Sequence, residues 1–217
     1  MHMSLSFLFI IVIGPSAATR VLVTGATGRT GSLLYANLKA DPRVSAVRAL
    51  VRNASKAKAV LGCTKCDASE GVYVGDVTKP ATLINAMSGI DAIAITTGVG
   101  GDEPPSVTKA VEYTGVENQV AALAKNNNGS IASLRVVLCS SMGTETPPTS
   151  PSSVMFWKLQ AEAFLGSSGI ASTIVKPCGL QNGPAAQHAL GTSHGDALPS
   201  SSIYMINRAD LAAVMAE

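Results

Sequence analysis

The chain has 217 residues, of which 47% are hydrophobic and 14% charged, with a formal net charge of +2. That length accommodates one sizeable core without a second domain, and so small a charge, with no block of Lys or Arg, excludes electrostatic capture of nucleic acid. Aromatics are only 4% of residues, while small and β-branched residues are plentiful, which suits helices packed closely on a parallel sheet.

The chain opens with an apolar run, Leu5 to Ile13, well short of the roughly 20 residues a spanning helix needs, so no transmembrane span is expected. Ser16-Ala17-Ala18 puts small residues where a signal peptidase cleaves. Residues 1–18 therefore read as a signal or targeting segment, and an apolar arm packed on the sheet or on a neighbouring chain is the alternative. A signal would send the protein along the secretory route or, in an alga with complex plastids, to the plastid. Without one the protein is cytoplasmic.

Past this segment, apolar runs alternate with helix-period segments, the signature of βαβ units. Strands are predicted at Arg20–Thr24, Ala46–Val51, Val72–Val74, Ala92–Ile95, Arg135–Cys139 and Ser172–Val175. Helices fill the gaps: Thr30–Leu38 turns Leu33, Leu34 and Leu38 inward, and Lys79–Met87 does so with Leu83, Ile84 and Met87. Val107–Lys125 presents Val111, Val116, Val120 and Leu123, and Val154–Leu165 ends on Phe164 and Leu165. The fold class is α/β, a Rossmann-type, doubly wound and mostly parallel sheet in one domain over residues 19–217. Two irregular loops, Gly98–Pro105 and Thr144–Ser153, follow strand C-termini, the edge where such sheets bind ligands.

Gly25-Ala-Thr-Gly28-Arg-Thr-Gly31 lies between the first strand and the first helix. Gly25 allows a tight turn, Gly28 lets backbone amides approach a pyrophosphate, and Gly31 lets the helix pack on the strand. The helix N-terminus then offers unpaired N–H groups to the phosphates. Thr27, Arg29 and Thr30, inside the same loop, are counted among the cofactor-binding residues. The second strand ends Val51-Arg52-Asn53 without the carboxylate that a free ribose 2′-hydroxyl favours. Arg52 can fork onto a 2′-phosphate, with Arg29 as a second cation, so NADP(H) is the expected cofactor.

Four cysteines are present. Cys63-Thr-Lys-Cys66 falls in a polar connection, and neither a second CxxC nor a histidine pair completes a zinc set, so no metal is expected. The pair reads as a structural loop feature, and a redox role would require a reversible disulfide. Cys139 reads as a buried small hydrophobe. His188 and His194 fall in a Gly/Ser/Pro-containing stretch and read as surface residues. Trp157 and Tyr113 are weighed for the cleft, the first against helix packing and the second as a proton donor.

Several separated stretches, VLVTGATGRTG, LVRNASKAK, GDVTKPATLINAMSGIDAIAITTG, VVLCSSMGT, FWKLQAEAFLGSSGIASTIVKPCGL and RADLA, resemble the atypical short-chain dehydrogenase/reductases of the NmrA-like, NAD(P)-binding kind. The resemblance runs from Arg20 to the C-terminus. It implies that Asp76 and Val77 flank the adenine, and that Thr96, Thr97 and Gly98 line the ribose and nicotinamide side. Ser140 and Ser141 correspond to the active-site serine, Lys158 to the lysine that holds the nicotinamide ribose, and Pro177 to Leu180 run beside the nicotinamide. One position departs from the pattern: Tyr-x-x-x-Lys has Val154 where the tyrosine acid belongs. The Arg208-Ala-Asp210 stretch matches the family's helix start near the substrate pocket, and relatives continue past the position of Glu217 with a further strand and helix, so the C-terminal lobe is expected to be either short or truncated. The expected function is an NADPH-dependent reductase of a small apolar or conjugated acceptor of quinone, flavin or carbonyl type, with Ser141 as a candidate hydroxyl donor. The alternative is a non-catalytic NADP(H)-binding regulator or subunit of a larger assembly.

Overall fold

A computed structural model describes residues 19–100, 102–127, 129–145, 149–194, 196 and 205–217. The apolar run and cleavage site within residues 1–18 lie outside the described residues. Six strands form one parallel sheet in the order β3-β2-β1-β4-β5-β6. They are β1 (Thr19–Thr24), β2 (Val44–Val51), β3 (Val72–Val74), β4 (Ala92–Ile95), β5 (Arg135–Cys139) and β6 (Ala171–Val175). The order reverses between β1 and β4, which opens a crevice at the strand C-termini.

Strand alternation decides which side chains face which layer. In β4, Ile93 and Ile95 point into a core shared with Leu22, Leu83, Leu123 and Leu165, whereas Ala92 and Ala94 face the opposite layer with Val21, Val23, Leu34 and Leu211. Each fully buried Leu or Ile contributes about 1.5–3 kcal/mol relative to exposure. The first core is closed by α3 (Ile84–Met87), α5 (Gly115–Lys125) and α6 (Val154–Ser167), and the second by α1 (Gly31–Ala40), α2 (Ala54–Leu61) and α7 (Arg208–Ala216).

Several helix expectations need correction. In α1 the inward stripe is Gly31, Leu34, Tyr35 and Leu38, at helical spacing, and Leu33, one residue off that stripe, is exposed. Lys79–Met87 is a 3-10 turn, Pro80–Thr82, followed by the four-residue α3, with Ile84 exposed. The predicted helix Val107–Lys125 begins earlier, as α4 (Pro105–Lys109), and passes through a π turn at Ala110–Thr114 before α5. Cys139 is half-buried rather than enclosed.

A second, two-stranded parallel sheet joins β7 (Gly179–Gln181) to β8 (Met205–Asn207). The Arg208-Ala-Asp210 stretch secures it. Arg208 donates to Asn182 Oδ1 at 2.9 Å, Asn207 Nδ2 donates to the Pro184 carbonyl at 3.0 Å, and the Ala186 amide donates to Asp210 Oδ1 at 2.7 Å. Among the described residues no helix is long and apolar enough to cross a membrane.

At the opposite edge, Arg20 forks onto Asp91, with Nε donating to Oδ2 at 2.9 Å and a terminal nitrogen to Oδ1 at 2.7 Å. The bond from Arg20 holds the Asp91 carboxyl below the usual carboxylate range, against partial burial. A lowered folded-state pKa stabilises the fold above the unfolded value, and this contribution fades as pH falls through the folded value. Stability should therefore drop on acidification below about pH 4, the ordinary aspartate range. Thermal melts of Asp91→Asn should show a flatter acid limb than the parent.

Candidate functional site

The glycine loop is first a packing device. Gly25 has φ +73°, and a Cβ there would sit 2.9 Å from the Thr96 and Thr97 backbone, while one on Gly31 would come within 2.3 Å of the Gly25 carbonyl oxygen. Both glycines let the loop and the start of α1 lie against the end of β4. The Gly28 amide closes the turn onto the Gly25 carbonyl at 2.8 Å. Thr30, the residue before α1, makes no side-chain cap, and no acid stands in the first turn. The Ser32 amide donates to the Gly28 carbonyl at 3.0 Å, and no side chain caps the amides before it, which leaves them for an anion. Thr97 adds a buried hydroxyl without a partner among the described residues.

Beside this loop, a cavity of about 140 Å³ brings together Gly25, Thr27 and Gly28 with Arg52, Asp76, Val77, Thr96, Thr97 and Gly98. These residues come from the ends of β1, β2, β3 and β4, and most of the sequence-predicted cofactor set converges there. A larger cavity of about 530 Å³ opens at the other edge of the sheet, beside the first residues of β1 and β4, away from the glycine loop. The smaller cavity also contains Lys56, on the first turn of α2, which sequence reasoning missed. Arg29 does not line it. The charge of Arg29 is felt instead by Arg208, whose pKa is lowered by burial first and by Arg29 second. The second cation beside Arg52 is therefore Lys56.

Asp76 is fixed from within: its Oδ1 accepts the Thr78 amide at 2.9 Å and the Thr78 hydroxyl at 2.8 Å. Burial opposes ionisation, but these bonds and the charges of Arg52 and Lys79 outweigh it and hold the carboxyl low. Asn118 on α5 donates to the Val77 carbonyl at 2.8 Å, tying this strand end to the helix layer.

Lys158 lies on α6, outside that cavity. Its Nζ is 2.8 Å from Glu112 Oε2, with the Glu112 side chain only 4% exposed. Glu112 sits in the π turn, and its other oxygen accepts the Val99 amide at 2.9 Å. One buried carboxylate thus joins the lysine to the loop that follows β4. The signal for it was present, since Glu112 stands four residues before Val116 on the inward stripe of the helix. Cys139, at the end of β5, lies within reach of both charges. Burial raises its thiol pKa most, Lys158 opposes this and Glu112 reinforces it, so it is a poor nucleophile.

The serines diverge. Ser140 is buried and donates to Glu162 Oε1, while Glu162 Oε2 accepts the Thr144 hydroxyl at 3.1 Å and lies 3.7 Å from Lys176 Nζ. Lys176 also pairs with Asp196 at 3.1 Å. The Ser140 hydroxyl is committed to this network between β5, α6 and the end of β6. Ser141 is half-buried and donates to the Met142 carbonyl at 3.0 Å. Pro177 is buried after β6, where its carbonyl accepts the Met142 amide at 3.0 Å. Tyr113 stacks on Trp157 at 6.0 Å, and its phenol is raised by Glu117 and by burial, which disfavours proton donation. Trp157 donates to the Pro151 carbonyl at 2.7 Å, a packing role. His188 and His194 are exposed.

A crevice at the strand reversal, a glycine turn feeding an uncapped helix, and two cations, one just after β2 and one on α2, together suit a dinucleotide. Residues 25–217 match the NAD(P)H-binding family. The chain belongs to that family. Its cofactor is therefore a nicotinamide dinucleotide, and the resemblance to atypical short-chain reductases fits the family. Among similar proteins, an uncharacterized chloroplastic protein of Arabidopsis thaliana is 31% identical over 89% of this chain. The chain spans 63% of that relative's length. Sanguinarine reductase of Eschscholzia californica is 30% identical, with 88% of this chain and 81% of that protein covered. A putative NAD-dependent epimerase/dehydratase from Bacillus halodurans superposes with a TM-score of 0.71 over 91% of this chain and 86% of its own, at 22% identity, and shares the fold.

Proposed function

We propose that this family member binds NADP(H) and acts as a reductase, passing hydride to a small apolar or conjugated acceptor. The observation that carries the cofactor choice is the pair Arg52 and Lys56 in the adenosine end of the cleft, with no carboxylate at the end of β2. The two cations are placed for a 2′-phosphate, and the amides at the start of α1 for the pyrophosphate. When bound, the dihydronicotinamide supplies the hydride. Lys158, held by Glu112, presents its remaining N–H groups toward the nicotinamide ribose. By the family resemblance, Gly98 and Pro177 would lie beside the nicotinamide. With Val154 in place of a tyrosine, the proton comes from water, or from Ser141 turned away from the Met142 carbonyl. The similarity to a protein named as a reductase supports this reading. The chloroplastic relative supports a plastid location.

The second reading, an NADP(H)-binding protein without turnover that serves as a regulator or subunit, draws on Val154 and on the commitment of Ser140 to Glu162. NADPH oxidation against a panel of quinones, flavins and aldehydes separates the two. Turnover with at least one acceptor, abolished in Lys158→Ala, is the expected result. Tight NADPH binding with no oxidation across the panel would establish the second reading.

A further inference from the structure

The CxxC of the loop after α2 takes no part in the cleft, yet it is built with care. Cys63 and Cys66 are joined in a disulfide with a Cα separation of 5.1 Å. Cys66 is buried in the second core, 4% exposed, whereas Cys63 is half-buried at the surface. The loop between them does not rely on the sulfur bond for its shape. The Glu70 carboxylate accepts the amides of Thr64 at 3.1 Å, Lys65 at 2.8 Å and Cys66 at 2.7 Å. That cradle holds Cys66 at φ +56°, a left-handed conformation a non-glycine residue adopts only under constraint. The two sulfurs therefore remain within bonding reach when reduced, and the bridge can re-form without rebuilding the loop.

The helix that the bridge follows is weakly held. α2 has eight residues, and its one fully buried side chain is Ala57. Its N-terminal end is fixed by Asn53, whose side chain accepts the Lys56 amide at 3.0 Å. Its other end is anchored by the packing of Leu61 and Cys63 on the second core, next to the bridge to buried Cys66. Few buried contacts mean a low local opening free energy, so the bridge has leverage on the position of α2. Arg52 and Lys56 stand at the start of this same helix.

We infer that Cys63–Cys66 is a reversible thiol–disulfide exchange site, open through Cys63 to a dithiol partner, and that its oxidised state secures α2 and thereby NADPH binding. In the exchange, a thiolate of the dithiol attacks Cys63 Sγ and the Sγ–Sγ bond breaks. Cys66 leaves as a thiolate and takes a proton. The second thiol of the partner, on deprotonation, then displaces Cys63, which leaves as a thiolate and is protonated in turn. Two electrons and two protons have passed to the chain, and the partner departs as a disulfide. The link to NADPH rests on the cofactor reading above, but the exchange site does not.

The test uses the folded chain equilibrated with dithiothreitol at graded ratios of reduced to oxidised form. Peptide-mapped alkylation reads the Cys63 and Cys66 thiols, hydrogen–deuterium exchange reads residues 54–61, and calorimetry reads NADPH binding. Both thiols should appear and disappear together and reversibly. On reduction, exchange across α2 should quicken and NADPH should bind more weakly, each by roughly fivefold, or ~1 kcal/mol. Cys63→Ser should match the reduced form at every ratio. The proposal is overturned if the pair stays in one state across the series, if α2 exchanges equally in both states, or if the reduced chain retains zinc with Glu70 as third ligand. Equal NADPH affinity in both states overturns the coupling. If neither state binds NADPH, the cofactor reading fails, and alkylation with exchange still decides the site.

Discussion

Arg52→Glu should weaken NADPH binding by about tenfold to a hundredfold while leaving NADH affinity within about threefold, measured by titration of the pure chain with each nucleotide. A charge-assisted bond to phosphate contributes about 1.5–3 kcal/mol, and 1.4 kcal/mol is a factor of ten. Substitution by glutamate removes that bond and sets a like charge against the 2′-phosphate, so the loss falls on the phosphorylated cofactor alone. Arg52 is solvent-exposed and its charge acts on Asp76 across the cleft, so the fold itself should tolerate the change. Lys56→Ala should produce the same preference in weaker form, because a flexible ammonium lacks the planar fork of the guanidinium. Unchanged preference in Arg52→Glu would remove the basis for choosing NADP over NAD.

The second large effect belongs to the ion pair on the other side of the cleft. Lys158→Ala leaves the Glu112 carboxylate buried with, among the described residues, only the Val99 amide as partner. Breaking a buried pair by removing one member costs about 3–5 kcal/mol. For a domain of this size that corresponds to a drop in melting temperature of roughly 10 °C. Turnover should also vanish, so the substitution alone would confuse folding with chemistry. The double variant Glu112→Gln, Lys158→Met separates them. It deletes both charges, keeps an acceptor for Val99, and should recover most of the melting temperature while remaining inactive. If the double variant melts as low as the single one, the pair does not carry the stability assigned to it.

The parallel, doubly wound sheet was legible because two independent patterns agreed. The glycine loop announced the first βαβ unit, and the alternation seen in Ala92–Ile95 marked strands buried on both faces. The cleft followed for the same reason, since Arg52, Asp76 and Thr96 are strand-end residues whose positions the topology sets. What the sequence hid depended on tertiary contacts. Apolarity alone placed Leu33 and Ile84 inside, whereas the inward face of each helix was decided by its neighbours. β7 and β8 are three residues each, too short for an apolar alternation to betray them. Lys56 was overlooked because it reads as an ordinary surface lysine of α2, and only the curvature of the β2–α2 turn brings it over the cavity. The commitment of Ser140 to Glu162 joins residues 22 apart and leaves no local trace.

The π turn at Ala110–Thr114 takes up one residue more than a regular α-helix would hold between the same two neighbours. Each residue of an α-helix advances the chain by about 100° around its axis. Without the wider turn that residue would rotate α4 by about that angle against α5, whereas removing it would let a regular helix form with both helices in nearly the same orientation. Thr108 would stay in the interior and Lys109 would keep its place 5.3 Å above the Trp157 ring. Relatives that share this architecture should therefore tolerate the loss of one residue here without turning either flanking helix.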